Sequence, residues 1–283
     1  MKKRNVGHSG LKISPIGLSA ASWTADTATE LLSAFVDAGG NLITVTSEML
    51  PLIAPAIAQV GREKLVISLT AGVDMSLPVG QRVDCSRTAL RRSLVRALSE
   101  SGLEYVDIFS AAYWDPRTPS HEVSSTLAEI VQSGHAMYAG AAGYAGWQLA
   151  VTPGLTAAHN EYSLLRREVE EELLPAADHL GVGTIAAAPL ARGLLSSGYT
   201  VNSPAVHPYR GDKSRTIVEA VATAAEGLSM SPAATALAWV LGREGISGAI
   251  VGAQSAEELT QLLPAAQTPL PRPIMAALDD VSK

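Results

Sequence analysis

The sequence predicts an α/β fold, a parallel (β/α)8 TIM barrel preceded by an N-terminal β-hairpin. Short apolar, β-prone runs alternate with longer segments of helical period along the whole chain, and eight such runs can be counted. A chain of 283 residues with 47% apolar side chains is long enough to build one barrel of this kind. We therefore expect a single domain over residues 1–283.

The strands are predicted where the apolar runs fall. Gly7, Gly10 and Pro15 interrupt two short alternating segments and indicate a hairpin over Arg4–Ile16. The eight barrel strands are predicted at Ile16–Ser19, Leu42–Thr46, Leu65–Thr70, Val106–Ala111, Met137–Ala141, Leu155–Asn160, Thr184–Ala188 and Ala249–Gly252.

Helices are predicted between these strands from their apolar period. They include Thr27–Ala38, Ser86–Ser101, Ser120–Gln132, Arg167–Leu180 and Pro232–Gly242. Glycines that suit a helix end follow three of them, at positions 102, 134 and 181. Trp147 and Trp239 lie in helical segments, so both are predicted to be core residues. The stretch Gly193–Asp212 is rich in Gly, Ser, Pro and Tyr and is predicted to be a long loop, a candidate lid.

Composition excludes several classes of partner and site. The chain has 21 basic and 27 acidic residues, a net charge of −6, and no basic cluster beyond positions 2–4, which argues against nucleic acid and anionic membranes. Cys85 is the only cysteine, so an intrachain disulfide is impossible, and the histidines lack metal-ligand spacing, so we expect no metal site. Residues 6–14 are mostly polar and no apolar run approaches about 20 residues, so we expect a cytoplasmic protein.

Eight segments in order are similar to one known family. They are Arg4–Leu18, Asp37–Asn41, Tyr105–Ile108, Trp114–Pro116, Glu161–Val169, Pro189–Leu195, Ala236–Val240 and Ile250–Ala253. Through them the chain resembles the aldo-keto reductase superfamily, and most closely its bacterial oxidoreductase branch. The resemblance implies the barrel fold, an NADP(H) cofactor, and a catalytic tetrad of Asp, Tyr, Lys and His.

The four tetrad positions carry other residues in this chain. Counted from Asn41, the Asp corresponds to Thr44 and the Tyr to Met49, while the Lys corresponds to Thr70 and the His to Ala112. Met and Ala cannot donate a proton, and Thr cannot replace the ammonium that stabilises a phenolate. Loss of a general acid alone typically lowers the rate by about 10²–10⁴-fold. The resemblance therefore indicates a degenerate member that lacks the tetrad.

The cofactor contacts that the resemblance implies are also changed. The side chains that would hold nicotinamide, phosphate and adenine are replaced by Ala142, Gly143, His159, Ala187, Ala188, Gln254 and Leu262. A vestigial groove would be formed by Leu190, Gly193, Leu194, Gly252 and Gln254. Each charge-assisted hydrogen bond lost from a phosphate costs about 1.5–3 kcal/mol. We therefore expect no cofactor, with NADP(H) as the alternative.

Candidate site residues follow from the rule that active sites of this fold lie at the carboxyl ends of the strands. His159, Tyr113 and Glu48 are the candidate acid–base groups; alternatively His159 only bonds a loop carbonyl, Tyr113 only lines a pocket, and Glu48 is a solvated rim residue. A substrate pocket is predicted from two aromatic and two small residues, Trp23, Trp114, Ala142 and Ala187. The two tryptophans could equally fill the volume that the cofactor vacates.

Three functions remain open at this point. The first hypothesis is a cofactor-independent isomerase, lyase or cyclase acting on a small, largely apolar metabolite in the cavity that the small residues leave. The second is a non-catalytic ligand-binding or regulatory pseudoenzyme with a protein partner. The third is an atypical NADP(H)-dependent oxidoreductase that uses substitute groups at shifted positions.

Overall fold

Eight parallel strands close into a barrel in the computed structural model, which describes residues 1–197 and 204–283. Two hairpin strands, β1 (Arg4–Asn5) and β2 (Lys12–Ile13), precede the eight barrel strands. The barrel strands are β3 (Ile16–Ser19), β4 (Leu42–Thr46), β5 (Val66–Ala71), β6 (Val106–Ala112), β7 (Ala136–Ala142), β8 (Ala157–Glu161), β9 (Gly183–Ala187) and β10 (Ile246–Val251). β3 to β10 pair in chain order, and β10 pairs with β3 to complete the ring. The predicted (β/α)8 barrel is confirmed.

Helices surround the barrel and connect its strands. In the described residues they are α1 (Ala25–Asp37), α2 (Met49–Val60), α3 (Arg87–Ser101), α4 (Ser120–Gln132), α5 (Gly146–Ala150), α6 (Leu173–Leu180), α7 (Leu194–Ser197), α8 (Asp212–Leu228), α9 (Pro232–Leu241), α10 (Ala256–Leu262) and α11 (Arg272–Ser282). None of these helices is long and apolar enough to cross a membrane. In the same described part of the chain, no group of three His, Cys, Asp or Glu side chains could hold a metal ion.

Local sequence explains where several helices begin and end. Thr24 caps α1 through a reciprocal pair with Thr27, and the Ser231 side chain accepts from the Ala234 N–H at the start of α9. α3 and α6 end at glycines in the left-handed conformation, Gly102 and Gly181. These are two of the glycines predicted to follow helices.

The predicted N-terminal hairpin is confirmed, and it closes the amino-terminal end of the barrel. β1 and β2 pair antiparallel, and Val6, Leu11 and Ile13 are buried in one cluster with residues inside the barrel. That cluster holds Leu42, Val66, Ile108, Ala157, Ile185 and Ile250. The amino-terminal half of the interior is therefore a packed apolar plug, and only the carboxyl-terminal end is left for a ligand.

Three local predictions need correction. The helix predicted at Arg167–Leu180 begins at Leu173, after a 3₁₀ turn, because Pro175 is tolerated in the first turn of a helix but not in its interior. Trp239 is fully buried as predicted, but Trp147 is 53% exposed, because α5 is a single turn that buries Leu149 instead. The loop predicted at Gly193–Asp212 contains α7 and a 3₁₀ helix at Pro204–Tyr209, and residues 198–203 lie outside the described residues.

Candidate active site

A polar layer lies above the apolar plug inside the barrel. Alternate side chains of a barrel strand point inward, so the residues two positions beyond Leu42, Val66, Ile108 and Ala157 also face the interior. These residues are Thr44, Ser68, Ser110 and His159. The inward-facing side chains thus change from aliphatic to hydrogen-bonding types towards the carboxyl ends of the strands.

His159 is the titratable member of this layer. It is buried, and its Nε2 lies 3.2 Å from the Oγ of Ser68 on β5. In the strand register it stands beside Ala142 of β7, whose side chain is a single methyl group. Burial lowers the pKa of His159 to about 4, because a charged ring would be poorly solvated there. The imidazole is therefore neutral near pH 7 and is held by Ser68.

Ser110 is a second polar group inside the barrel, and the sequence reasoning did not single it out. Its hydroxyl is buried and has no hydrogen-bond partner among the described residues. On the neighbouring strand a Cβ at Gly140 would lie 2.4 Å from this Oγ, so the hydroxyl occupies space that only glycine leaves open. Strand alternation could have identified both Ser68 and Ser110, since each lies two residues beyond an apolar inward position.

The positions that the resemblance assigns to the tetrad lie on or just after β4, β5 and β6. Thr44 and Thr70 are half-buried strand residues, Met49 is the first residue of α2, and Ala112 is the buried last residue of β6. The side chains here are two hydroxyls, a thioether and a methyl group. None of them titrates near neutral pH.

The other acid–base candidates lie closer to solvent. Glu48 precedes α2 and forms an exposed ion pair with Arg96 of α3, at 3.1 Å. Tyr113 follows β6 and is 56% exposed. Asp115, two residues after Tyr113, is buried. Burial raises the pKa of its carboxyl group, but hydrogen bonds from Cys85, Thr118 and Arg117 outweigh this and lower the pKa below its usual value. The Asp115 carboxylate is therefore engaged in hydrogen bonds that stabilise its own loop.

Trp23 and Gln254 tie two loops together at the mouth. The indole of Trp23 is buried, and its Nε1 donates to the carbonyl of Ala253 at 3.1 Å. The Gln254 amide donates to the Ser22 Oγ at 2.8 Å, and the Gln254 backbone N–H donates to a Glu258 carboxylate oxygen at 2.7 Å. Where the resemblance implies a cation, the chain therefore places an amide next to a carboxylate.

The turn after β9 has an unusual backbone. Ala188, Ala191 and Arg192 have φ angles of 46°, 47° and 57°, and Gly193 has a φ of 100°. Alanine and arginine rarely adopt this left-handed region, and the cost is of order 1–3 kcal/mol per residue. The Ala191 N–H donates to the Ala188 carbonyl at 2.9 Å and the Gly193 N–H donates to the Leu190 carbonyl at 3.0 Å, so the turn is closed by its own hydrogen bonds. The remaining groove residues near it are Leu190, Leu194 and Gly252, of which Leu194 is buried.

Glu161 and Tyr209 form a contact that the sequence reasoning missed. Glu161 ends β8 in the inward register, and its carboxylate accepts a hydrogen bond from the Tyr209 hydroxyl. Tyr209 is buried and belongs to the 3₁₀ helix Pro204–Tyr209, and the Arg166 guanidinium lies 5.3 Å from its ring centre. The 204–209 segment is therefore fastened to the rim of the barrel.

Comparison with known proteins identifies relatives. Residues 14–283 match the model of the aldo/keto reductase family. The chain is 30% identical over 236 residues to the uncharacterized oxidoreductase YrpG of Bacillus subtilis (strain 168), which covers 78% of this chain and 72% of that protein. It is 34% identical over 228 residues to the L-glyceraldehyde 3-phosphate reductase of Escherichia coli (strain K12), covering 71% of this chain. The matched part spans 64% of that reductase, less than two thirds of its length.

These relatives correct two expectations. The hypothesis of a cofactor-independent isomerase, lyase or cyclase is wrong, because the relatives are named as reductases and oxidoreductases. The expectation of no cofactor is wrong for the same reason, since the family and the reductases point to NAD(P)H. Both errors have one physical source. They were drawn from replaced side chains alone, and side-chain replacement leaves the backbone at the mouth of the barrel in place, including the left-handed turn after β9.

Proposed function

The chain belongs to the aldo/keto reductase family, and from this premise we propose that it is a nicotinamide-dinucleotide-dependent oxidoreductase that reduces a carbonyl compound. The family match over residues 14–283 is the observation that supports the proposal most strongly. We propose that residues 1–283 act as a single domain. The reaction would take place at the carboxyl end of the barrel, above the polar layer.

The reductase would be a degenerate one that works without the tetrad. Thr44, Met49, Thr70 and Ala112 offer no phenol, ammonium or imidazole at the tetrad positions. A carbonyl that accepts a hydride still needs a hydrogen-bond donor at its oxygen. The substitute donor must therefore come from another strand.

His159 is the best supported of the three acid–base candidates. It is buried in the polar layer beside Ala142, whereas Glu48 and Tyr113 are exposed. A neutral imidazole can polarise a carbonyl through its N–H, and Ser68 at 3.2 Å would hold the ring in the required tautomer. His159 would thus orient and polarise the substrate oxygen, and water would complete the protonation.

The residues at the nicotinamide end fit a dinucleotide. Ala142 and Ala187 are half-buried and small, which leaves room for a planar ring between β7 and β9. The turn from Ala188 to Gly193, which is closed by its own hydrogen bonds, would form a fixed wall beside the diphosphate. When bound, the dinucleotide supplies the hydride. The chain supplies the enclosure and the hydrogen bond from His159.

The residues at the adenosine end fit a dinucleotide without a 2′-phosphate. Gln254 is uncharged, and the Glu258 carboxylate lies against its backbone N–H. A phosphate dianion placed there would meet a like charge and no cation. A ribose 2′-hydroxyl could instead donate a hydrogen bond to the carboxylate. We therefore propose NADH as the preferred cofactor.

Fluorescence titration tests the cofactor, and NADH oxidation with a panel of aldehydes tests the reaction. We expect micromolar binding of NADH, at least tenfold weaker binding of NADPH, and slow turnover. In His159→Ala the turnover should fall by about 10²-fold or more with NADH binding retained. The matched control is His179→Ala, an exposed histidine of α6. Failure of both nucleotides to bind would refute the proposal, and binding without turnover of any aldehyde would favour the ligand-binding alternative.

A further inference from the structure

A cavity of about 240 Å³ lies at the amino-terminal end of the barrel. It is formed between the hairpin, the turn after α6 and the start of β10, and its walls include Arg4, Asp178 and Ser247. The apolar plug fills the barrel interior between this end and the candidate active site. The cavity is therefore separate from the site of the proposed reaction, and a ligand bound in it would not depend on that reaction.

Arg4 is a half-buried cation at the wall of this cavity. Its Nη1 donates to the carbonyls of Leu241 at 2.7 Å and Ile246 at 3.4 Å, which fix the position of the guanidinium. Among residues 1–197 and 204–283, its Nε and Nη2 have no hydrogen-bond partner and no carboxylate forms an ion pair with it. Burial lowers the pKa of Arg4, and no neighbouring negative charge offsets this effect. Because buried cations are normally paired, Arg4 has donors left for an anionic group.

Ser247 places a hydroxyl next to Arg4. The register of β10 against β9 shifts between Ile246 and Gly248, so Ser247 is the extra residue of a β-bulge. Its side chain is buried at the cavity wall, and its Oγ accepts a long hydrogen bond from the Gly7 N–H, at 3.4 Å. In the part of the chain that the structure describes, this hydroxyl donates to no acceptor. The guanidinium and the hydroxyl together suit a carboxylate, which accepts hydrogen bonds at both oxygens.

Asp178 brings a negative charge to the same cavity from the side of α6. It is an exposed residue in the last turn of that helix, and it forms no ion pair with any described residue. The last carbonyl groups of α6 carry the negative end of the helix dipole, which adds to this charge. Arg4 and Asp178 thus line one cavity without pairing with each other. A ligand that carries both charges would bridge them.

We propose that this cavity binds a free α-amino acid in its zwitterionic form. The carboxylate would accept hydrogen bonds from Arg4 and Ser247, and the ammonium would donate to Asp178. A volume of about 240 Å³ accommodates a molecule of this size and is smaller than most cavities that bind drug-sized ligands. A simple anion would meet the negative charge of Asp178, and a simple amine would meet the positive charge of Arg4. Neither half of the ligand alone therefore complements the cavity.

NMR titration with three matched molecules tests the proposal. L-serine carries both charges, 3-hydroxypropionate lacks the ammonium group, and ethanolamine lacks the carboxylate. We expect L-serine to shift the amide signals of Gly7 and Gly245, which line the cavity, with a Kd of about 1 mM or lower. The other two molecules should bind at least tenfold more weakly, because each loses one set of charge-assisted hydrogen bonds. The signal of Gly252, which follows β10 at the opposite end of the barrel, should not move.

Two results of this titration would overturn the proposal. The first is the absence of any shift at Gly7 and Gly245 with L-serine at about 50 mM, well above the expected Kd. The second is equal affinity for L-serine and 3-hydroxypropionate, which would show that the cavity binds an anion without recognising the ammonium group.

Asp178→Asn tests the role of the carboxylate without disturbing the core, because the side chain is exposed and the amide has the same shape. Affinity for L-serine should fall at least tenfold, while affinity for 3-hydroxypropionate should stay constant or rise. The control is His179→Gln, which changes the next residue of α6; this residue is exposed and does not line the cavity. Wild-type affinity for L-serine in Asp178→Asn would refute the assignment of the ammonium site.

Arg4→Gln tests the opposite charge. The glutamine amide can still donate to the carbonyls of Leu241 and Ile246, so the melting temperature reports whether the hairpin remains folded. Affinity for L-serine should fall at least tenfold in the folded variant, and ethanolamine should bind equally well or better. Unchanged affinity for L-serine in folded Arg4→Gln would contradict the assignment of the carboxylate site.

Discussion

Acid should destabilise this protein through His159, and the size of the effect can be worked out. Burial lowers the pKa of His159 to about 4 from the ordinary 6.5. The unfolded chain therefore takes up a proton at this residue as the pH falls below 6.5, while the folded chain does so only near pH 4. The unfolded state binds more protons across this window, so stability falls as pH falls. Above about pH 7.5 neither state is protonated to more than about a tenth, so the effect nearly vanishes.

The full shift corresponds to about 3 kcal/mol, because one pKa unit is worth about 1.4 kcal/mol. Between pH 7 and pH 5 the unfolded residue becomes almost fully protonated and the folded residue only slightly so. The loss attributable to His159 over that range is about 2 kcal/mol. For a chain of this size, such a loss lowers the melting temperature by roughly 4 °C.

His159→Gln isolates this contribution, since an amide can still bond Ser68 but does not titrate. Unfolding free energies from urea titrations at pH 7, 6 and 5 would be compared for the wild type and the variant. The wild type should lose about 2 kcal/mol more than His159→Gln between pH 7 and pH 5. His179→Gln, at an exposed position, should behave like the wild type. Identical pH dependence in wild type and His159→Gln would refute the reasoning.

Three further predictions concern other contacts. Ser110→Ala should leave the free energy of unfolding unchanged or raise it by up to about 1 kcal/mol in urea titration, because the hydroxyl lacks a partner in the described residues. A clear decrease in the free energy of unfolding would contradict this prediction. Asp279→Ala should lower the free energy of unfolding by about 3 kcal/mol, because Arg243 and the indole of Trp239 lose their shared hydrogen-bond acceptor. A decrease of less than about 1 kcal/mol in the same assay would contradict this prediction. Gln254→Arg combined with Glu258→Gln should raise NADPH affinity at least tenfold in fluorescence titration and lower NADH affinity severalfold, because the variant gains a cation for the 2′-phosphate and loses the carboxylate that would bond the 2′-hydroxyl of NADH; unchanged affinity for both nucleotides would contradict this.

The barrel could be predicted because the sequence patterns of its strands and helices are local and repeated along the chain. Each strand is a short apolar run, each helix has its own period, and Gly102 and Gly181 end helices through their own backbone freedom. Strands were placed within about three residues on this basis. The residue types at Thr44 and Ala112, two positions that the resemblance assigns to the tetrad, can also be read directly from the chain.

Function was harder to infer, because ligand contacts are shared between side chains and backbone. The changed side chains favoured an enzyme without a cofactor. The turn from Ala188 to Gly193 depends on positive φ angles. These cannot be predicted from its alanine and arginine residues, because both residue types rarely adopt them. The family relationship corrected that error.

The contacts within the site required the closed barrel. His159 and Ser68 are 91 positions apart, and Trp23 and Ala253 are 230 positions apart. Alternation along one strand tells which side chains face inward, but not which partner stands opposite. The register of neighbouring strands and the closure of β10 onto β3 determine that, because a shift of one residue would turn every inward side chain outward. The exposure of a side chain also depends on tertiary packing. The helical period predicted that Trp147 is a core residue, but α5 is a single turn and leaves Trp147 exposed to solvent.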